Sequence, residues 1–229
     1  MQTEDGSLQG IEDLFLITVG AGSTIVGLAS PEPRSGVTTI ANALALRCAK
    51  ANLETVVLDM VGRADEGTPK SDWLPGDGSA MRRVVRDPKG FDRLVLNPPP
   101  SARELVNRVD RLKDMISREL SSYQAVIVDV PPILSDISHV TGLAGASCCD
   151  AVVLVCATGK VTCDAMVTAH RRLERVGIFP RGVVKADFHT PTLGAELIRE
   201  ASRLDRRFPS LANFIKRKVN SSAFLNKRA

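Results

Sequence analysis

The chain lacks any apolar run of the ~18 residues that a membrane-spanning helix requires, so no span is expected. Its first residues, Met-Gln-Thr-Glu-Asp-Gly, lack the basic stretch and apolar core of a secretory leader, and a cytoplasmic setting is the expectation. A strong charge of one sign is also missing. The net charge is +4, too mild for a general nucleic-acid binder. An even cysteine count is missing: the five (Cys48, Cys148, Cys149, Cys156, Cys163) are odd in number and three lie in or beside apolar segments. That pattern points to buried thiols in a reducing compartment rather than to disulfides or a metal centre. The three histidines, His139, His170 and His189, have no ligand-like spacing, and no internal repeat is visible.

What is present is ordinary globular material. The 229 residues are 44% hydrophobic and 24% charged, enough for one large domain with a substantial core. Apolar, β-branched runs lie at Thr24–Ala29, Thr55–Asp59, Phe91–Asn97, Ala125–Val130, Ala151–Cys156 and Gly182–Lys185. They are nearly continuous rather than alternating, as in strands buried on both faces. Helical patterns at Thr38–Asn52, Ala102–Leu120 and Cys163–Val176 separate them. Strands alternating with helices predict a doubly wound, mostly parallel α/β sheet flanked by helices, with ligands at the carboxyl ends of the strands.

Residues 61–90 are polar and rich in Gly, Pro and Asp, a predicted loop with one short helix near Met81–Val85. Pro98-Pro99-Pro100 makes a stiff turn, with Ser101 as the expected N-cap of the helix after it. The α/β domain is expected to span 1–202. Residues 203–229 form a basic tail in which Arg203, Arg206, Arg207, Lys216, Arg217, Lys218, Lys227 and Arg228 face Asp205 alone. Phe208, Leu211, Phe214, Ile215 and Val219 interleave with those charges. Two readings stay open: a helix packing its apolar side on the domain, or an amphipathic segment touching an anionic membrane or an acidic partner.

The most informative stretch is Ser-Pro-Glu-Pro-Arg-Ser-Gly-Val-Thr-Thr at residues 30–39, between an apolar strand and a helix. That is the setting of the P-loop pattern G-x-x-x-x-G-K-[ST]. Gly36 permits close approach of backbone to phosphate. Thr38 and Thr39 stand at the hydroxyl positions, Thr38 placed for Mg²⁺. Val37 stands where the lysine belongs and offers neither charge nor donor. Arg34 is the nearest cation in the loop, either a phosphate partner or a solvated charge. Further on, Asp59 and Asp129 each end an apolar strand, the Walker B type of position that helps hold Mg²⁺.

On these residues the chain resembles the cytoplasmic domain of the bacterial tyrosine kinases (BY-kinases) of capsule and exopolysaccharide export, relatives of the MinD/ParA-type P-loop ATPases. The likeness covers about residues 24–187. Ser30, Pro31, Pro33, Gly36, Thr38 and Thr39 match the family's S-P-x-P-G-E-G-K-[ST]-T loop. Asp59 and Arg63 match its D-x-D-x-R motif, and Asp129, Pro131 and Pro132 its D-x-P-P strand end. Asp136, the strand Cys149–Val155 and Gly182-Val183-Val184 also resemble family positions. The paired prolines favour this family over MinD/ParA relatives. The resemblance implies a P-loop NTPase-like fold with ATP or ADP and Mg²⁺. The nucleotide would lie on Arg34, Ser35, Gly36, Thr38, Thr39 and Arg63, the metal on Thr38 and Asp129, and the catalytic positions would be Asp59 and Asp129. The implied partners are a membrane polysaccharide co-polymerase or a kinase homologue, with self-association, at the inner face of the bacterial cytoplasmic membrane.

The departures run in one direction. The lysine is Val37, Arg34-Ser35 replaces Gly-Glu, the second carboxylate of D-x-D is Val61, and the adenine-reading Asn is Ala186. The family's E-x-x-R-x-x-R oligomer motif is reduced to Glu12, Phe15 and Thr18. Its tyrosine cluster is absent, leaving Tyr123 as the chain's one tyrosine. Loss of one preorganised donor alone costs ~10²–10³ in rate. The expected function is therefore a catalytically degenerate scaffold or regulator in polysaccharide synthesis and export. The alternatives are a working ATPase or autokinase with altered loop chemistry, and a MinD/ParA-like positioning protein using its basic tail.

Overall fold

A computed structural model describes residues 3–61, 74–96, 98, 100–135, 138, 140–186, 197–198, 201–202, 209–220 and 222. The chain falls into two compact units, Met1–Ala186 and Asp187–Ala229. The boundary expected at 202/203 lies inside the second.

The first unit is built on a seven-stranded sheet: β1 (Ile25–Ala29), β2 (Thr55–Asp59), β3 (Val85–Arg86), β4 (Asp92–Val95), β5 (Ala125–Asp129), β6 (Ala151–Ala157) and β7 (Gly182–Ala186), in the order β3-β4-β2-β5-β1-β6-β7. Every pairing is parallel except β3–β4. Its helices are α1 (Thr3–Ile17), α2 (Val37–Lys50), α3 (Ala80–Arg83), α4 (Arg103–Val106), α5 (Val109–Glu119), α6 (Gly142–Ala146) and α7 (Cys163–Arg175). This is the doubly wound α/β class that the apolar runs predict.

The continuous runs feed two cores, because successive side chains leave a strand on opposite faces. In β5, Ala125 and Ile127 join one cluster and Val126 and Val128 the other. The first face is covered by α1 and α2 through Leu14, Ile40, Leu44 and Cys48. The second is covered by α5, α6 and α7 through Leu112, Met115, Ile116, Ala144 and Leu173. Each fully buried Leu or Ile stabilises these layers by ~1.5–3 kcal/mol relative to exposure.

Local chemistry departs from the sequence pattern in three places. The helix expected over 102–120 is broken into α4 and α5, because the Asn107 side chain accepts a 2.7 Å hydrogen bond from the Thr141 N–H. Ser101 does not cap it: it lies in a 3-10 turn over Pro100–Ala102, and Ala102 holds the N-cap position. The short helix ends at Arg83, and Val84 turns extended into β3, which the sequence pattern did not reveal. A turn closed by Asp87 N–H to Phe91 O (2.9 Å) and an Arg86–Asp92 ion pair (2.9 Å) build that strand from side chains too polar to read as one.

Helix α1 is fastened to α2. Glu12 accepts bonds of 2.5 and 2.7 Å from the Arg47 guanidinium, which also lies 4.1 Å above the Phe15 ring. Thr18 is buried and donates to Leu14 O at 2.6 Å. The positions where the resembled family carries oligomer arginines thus serve this chain's own packing. In the second unit, α8 (Pro209–Asn220) buries Val219 and leaves Phe214, Arg217 and Lys218 exposed. Arg203, Arg206, Arg207, Lys227 and Arg228 lie outside the described residues. Among the described residues, no helix is long and apolar enough to cross a membrane.

Candidate functional site

After β1 the chain passes to the α2 face of the sheet, and after β5 to the α6 face. The carboxyl ends of these neighbouring strands therefore flank a topological switch point, where open α/β sheets bind ligands. Two segments meet there: the loop Ser30–Gly36 and the turn Asp129–Pro132.

The loop is held from its carbonyl side. Ser30 O accepts from the Ile133 N–H (2.9 Å) and Pro31 O from the Leu134 N–H (3.0 Å). Glu32 O accepts from two hydroxyls, Ser30 Oγ (2.7 Å) and Ser35 Oγ (2.8 Å). Lys160 Nζ donates to Pro33 O (2.6 Å) and Arg34 O (2.8 Å). Every carbonyl from Ser30 to Arg34 is thereby engaged. Among the described residues, the backbone N–H groups from Arg34 to Thr39 meet no acceptor. Arg34 (φ 60°) and Gly36 (φ 82°) are both left-handed, the alternation that curls successive N–H groups into an anion-binding nest. The N-terminus of the 14-residue α2 continues that row of donors.

The side chains are distributed differently. Val37 is buried at 8% exposure within the α2-side core, so its position serves packing and gives the loop no charge. Arg34 and Thr39 are exposed and Thr38 half-buried. Ser35 is buried with its hydroxyl spent on Glu32 O, a structural role. Asp59 and Asp129 are register partners at the ends of β2 and β5, both buried. Asp59 Oδ1 accepts from the Val61 N–H at 2.9 Å, so the residue at the second carboxylate position contributes its backbone instead. Arg63 and Asp136 lie outside the described residues. A hydroxyl and two carboxylates form the oxygen set a Mg²⁺ ion takes, and the donor row suits phosphate oxygens, so these residues fit a Mg-nucleotide. No cluster of three or more His, Cys, Asp or Glu suited to a metal occurs among the described residues.

Two further positions shape the surroundings. Ala186 ends β7, and its carbonyl accepts from Thr158 N–H (3.1 Å) and Thr158 Oγ1 (3.3 Å). Tyr123 is buried, and its hydroxyl donates to Asp92 Oδ2 at 2.7 Å. Burial and that carboxylate push the phenol above its usual range, so it stays protonated and turned inward. Sequence reasoning missed Lys160. It is 126 positions from Arg34, and no local pattern marks a lysine in a turn after a strand as a partner of a distant loop.

No protein-family model matches the chain, and no curated protein matches it in sequence. Among solved structures it is similar to the BceF tyrosine kinase domain, at 22% identity over 77% of this chain and 74% of that one, with a TM-score of 0.63. It is also similar to the kinase domain of Escherichia coli tyrosine kinase ETK, at 22% identity over 74% and 70%, TM-score 0.60. A third is cobyrinic acid a,c-diamide synthase from Mycobacterium smegmatis with bound ADP and magnesium, at 15% identity over 80% and 81%, TM-score 0.57. The fold is that of BY-kinase domains and their P-loop ATPase relatives.

Proposed function

We propose that the protein is a BY-kinase-like scaffold or regulator of polysaccharide (capsule or exopolysaccharide) synthesis and export that has lost phosphoryl transfer. The observation that carries this reading is Val37, packed into the core where a catalytic loop presents its lysine. Without that lysine, charge developing on a transferred phosphoryl group loses the cation that the pattern provides, and the exposed Arg34 is the one cation the loop retains. The inward Tyr123 hydroxyl agrees, since the chain's one tyrosine offers no accessible acceptor.

Weak binding of Mg·ATP or Mg·ADP is part of the proposal. The phosphates would lie on the N–H groups of Arg34, Ser35, Gly36, Thr38 and Thr39, with the Arg34 and Arg63 side chains beside them. Mg²⁺ would lie on the Thr38 hydroxyl and Asp129. When bound, the nucleotide supplies a bulky anion that orders this edge of the sheet, and the retained fold supplies the docking surface. The partner would be a membrane co-polymerase or a kinase homologue, at the inner face of the bacterial cytoplasmic membrane. The exposed Phe214, Arg217 and Lys218 of α8 support an added peripheral contact, the feature that also favours a MinD/ParA-like alternative. Liposome co-sedimentation of the full chain against residues 1–202 tests that contact: tail-dependent binding supports it, and equal behaviour removes the tail from both readings.

The decisive experiment is incubation of the purified chain with Mg·ATP, alone and with a kinase homologue, followed by phosphotyrosine blotting and phosphate-release assay. Neither signal above background is expected. Phosphate on Tyr123, or on a partner through this chain's own activity, overturns the scaffold reading in favour of an active autokinase.

A further inference from the structure

We propose that Lys160 is a positioning residue of the phosphate loop, holding its backbone donors toward a bound anion from a turn far away in sequence. The inference rests on the reading that this loop takes nucleotide phosphate. Its starting point is the polarity of the loop: carbonyls engaged on one side, N–H groups without acceptors on the other.

A trans peptide is planar, with its C=O and N–H pointing in opposite directions. The ammonium that captures Pro33 O therefore turns the Arg34 N–H the other way, and capture of Arg34 O does the same for the Ser35 N–H. These are the first two donors of the nest. They belong to the peptides that flank Arg34, the non-glycine residue held at φ 60°. That backbone state is unfavourable for a residue with a Cβ and persists when neighbours over-determine it. Lys160 is such a neighbour, and a charged donor makes its two bonds stronger than neutral ones.

The turn that carries Lys160 is itself built. Thr158 ties it to the end of β7 through two bonds to Ala186 O. Gly159 adopts φ 74°, and the Lys160 and Val161 N–H groups both return to Ala157 O, at 3.2 and 2.9 Å. Thr162 then caps α7 by accepting from the Ala165 N–H at 3.1 Å. The lysine thus projects from a fixed base onto the loop. The residue at the position of the adenine-reading Asn, Ala186, supplies the carbonyl that anchors this base. That anchor is a backbone carbonyl, so it does not depend on the Ala186 side chain, and Lys160 meets the loop on the carbonyl side, opposite the free N–H groups.

The test is calorimetry at constant ionic strength with Mg·ADP and with inorganic pyrophosphate, on the full chain carrying Lys160→Met or Lys160→Arg. Wild type is expected to bind both probes. K160M should weaken both about tenfold and shrink the ligand-induced rise in melting temperature at a fixed probe concentration, while its ligand-free melting temperature moves little. K160R, which keeps a charged donor, should stay within about threefold of wild type. If the methionine variant does not fold, Lys160→Gln, with a neutral donor of shorter reach, is expected to fall between the two. K160M binding as tightly as wild type overturns the role of Lys160 and leaves the nucleotide reading intact. K160R as weak as K160M overturns it equally. A wild-type chain that binds neither probe at ~10 mM, where only affinities weaker than ~3 kcal/mol escape, overturns both.

Discussion

The loop after β1 and the strand ends of β2 and β5 lie on one edge of the same sheet, yet they hold their chemistry in different atoms. At the strand ends the chemistry is in side chains: Asp59 and Asp129 are kept and buried, and replacing the next carboxylate by Val61 removes an oxygen outright. In the loop the chemistry is in the backbone. Arg34, Ser35 and Val37 all differ from the resembled pattern, while the row of N–H groups and the two left-handed residues that curl it remain. Main-chain donors can be misdirected, but among substitutions only proline removes one outright. A site of this kind withstands side-chain change as long as its carbonyls are braced from behind. The brace here comes from the Ile133 and Leu134 N–H groups, two serine hydroxyls and Lys160.

The sharpest way to break the backbone half is Gly36→Val. At φ 82° a β-branched residue is strained, and an expected stability loss of about 2 kcal/mol lowers the melting temperature by roughly 4–8 °C. Binding of pyrophosphate and Mg·ADP should disappear together, because turning one peptide breaks the nest. Unchanged calorimetric titrations would refute a backbone-held site. Asp129→Asn attacks the other half. Its shape is conserved, so the chain should fold. ADP affinity should lose its dependence on Mg²⁺, by about tenfold at saturating metal, while Mg-free pyrophosphate binding stays as in wild type. A variant that loses both probes equally would show that the two halves act as one unit.

The division also explains what was legible in the sequence. The central strands were readable because burial on both faces demands unbroken Val, Ile and Leu, and the observed β5 and β6 repeat those runs almost residue for residue. The loop was readable because Gly36 and the hydroxyls beside it are local. The break between α4 and α5 was not, since it depends on Asn107 meeting Thr141, 34 positions away. Strand β3 escaped because ion pairs rather than apolar side chains build it. Lys160 escaped for the same reason as Asn107. A long-range polar bond leaves no period and no spacing, and only the fold brings its partners together.

Tyr123→Phe tests whether the one tyrosine belongs to the site or to the scaffold. Its hydroxyl bond to Asp92, which also pairs with Arg86, ties the start of β5 to β4 near the amino ends of these strands, away from the loop. Removing one side-chain hydrogen bond at a buried position is expected to cost about 1 kcal/mol and to leave both calorimetric probes unchanged. A change in ligand affinity would make Tyr123 part of the ligand site.

The smallest effect concerns the fastening of α1. Hydrogen bonding to Arg47 holds the Glu12 carboxyl below its usual value, against a smaller opposing effect of burial. A depressed carboxyl stabilises the folded chain at pH above its unfolded value of about 4.3, and that contribution fades as pH falls through the lower folded value. Glu12→Gln removes the charge and therefore this part of the acid sensitivity. Chemical denaturation at pH 6 and at pH 3.5 should show wild type losing more stability than E12Q between the two, with the curves converging at the acid end. Because the pair is solvent-accessible, 0.3 M salt should shrink the difference. A difference that persists in high salt would place the stabilisation in the directed hydrogen bonds from Arg47 to the Glu12 carboxylate rather than in their screened charge, whereas the stacking of Arg47 on Phe15, present in both chains, adds nothing to the difference.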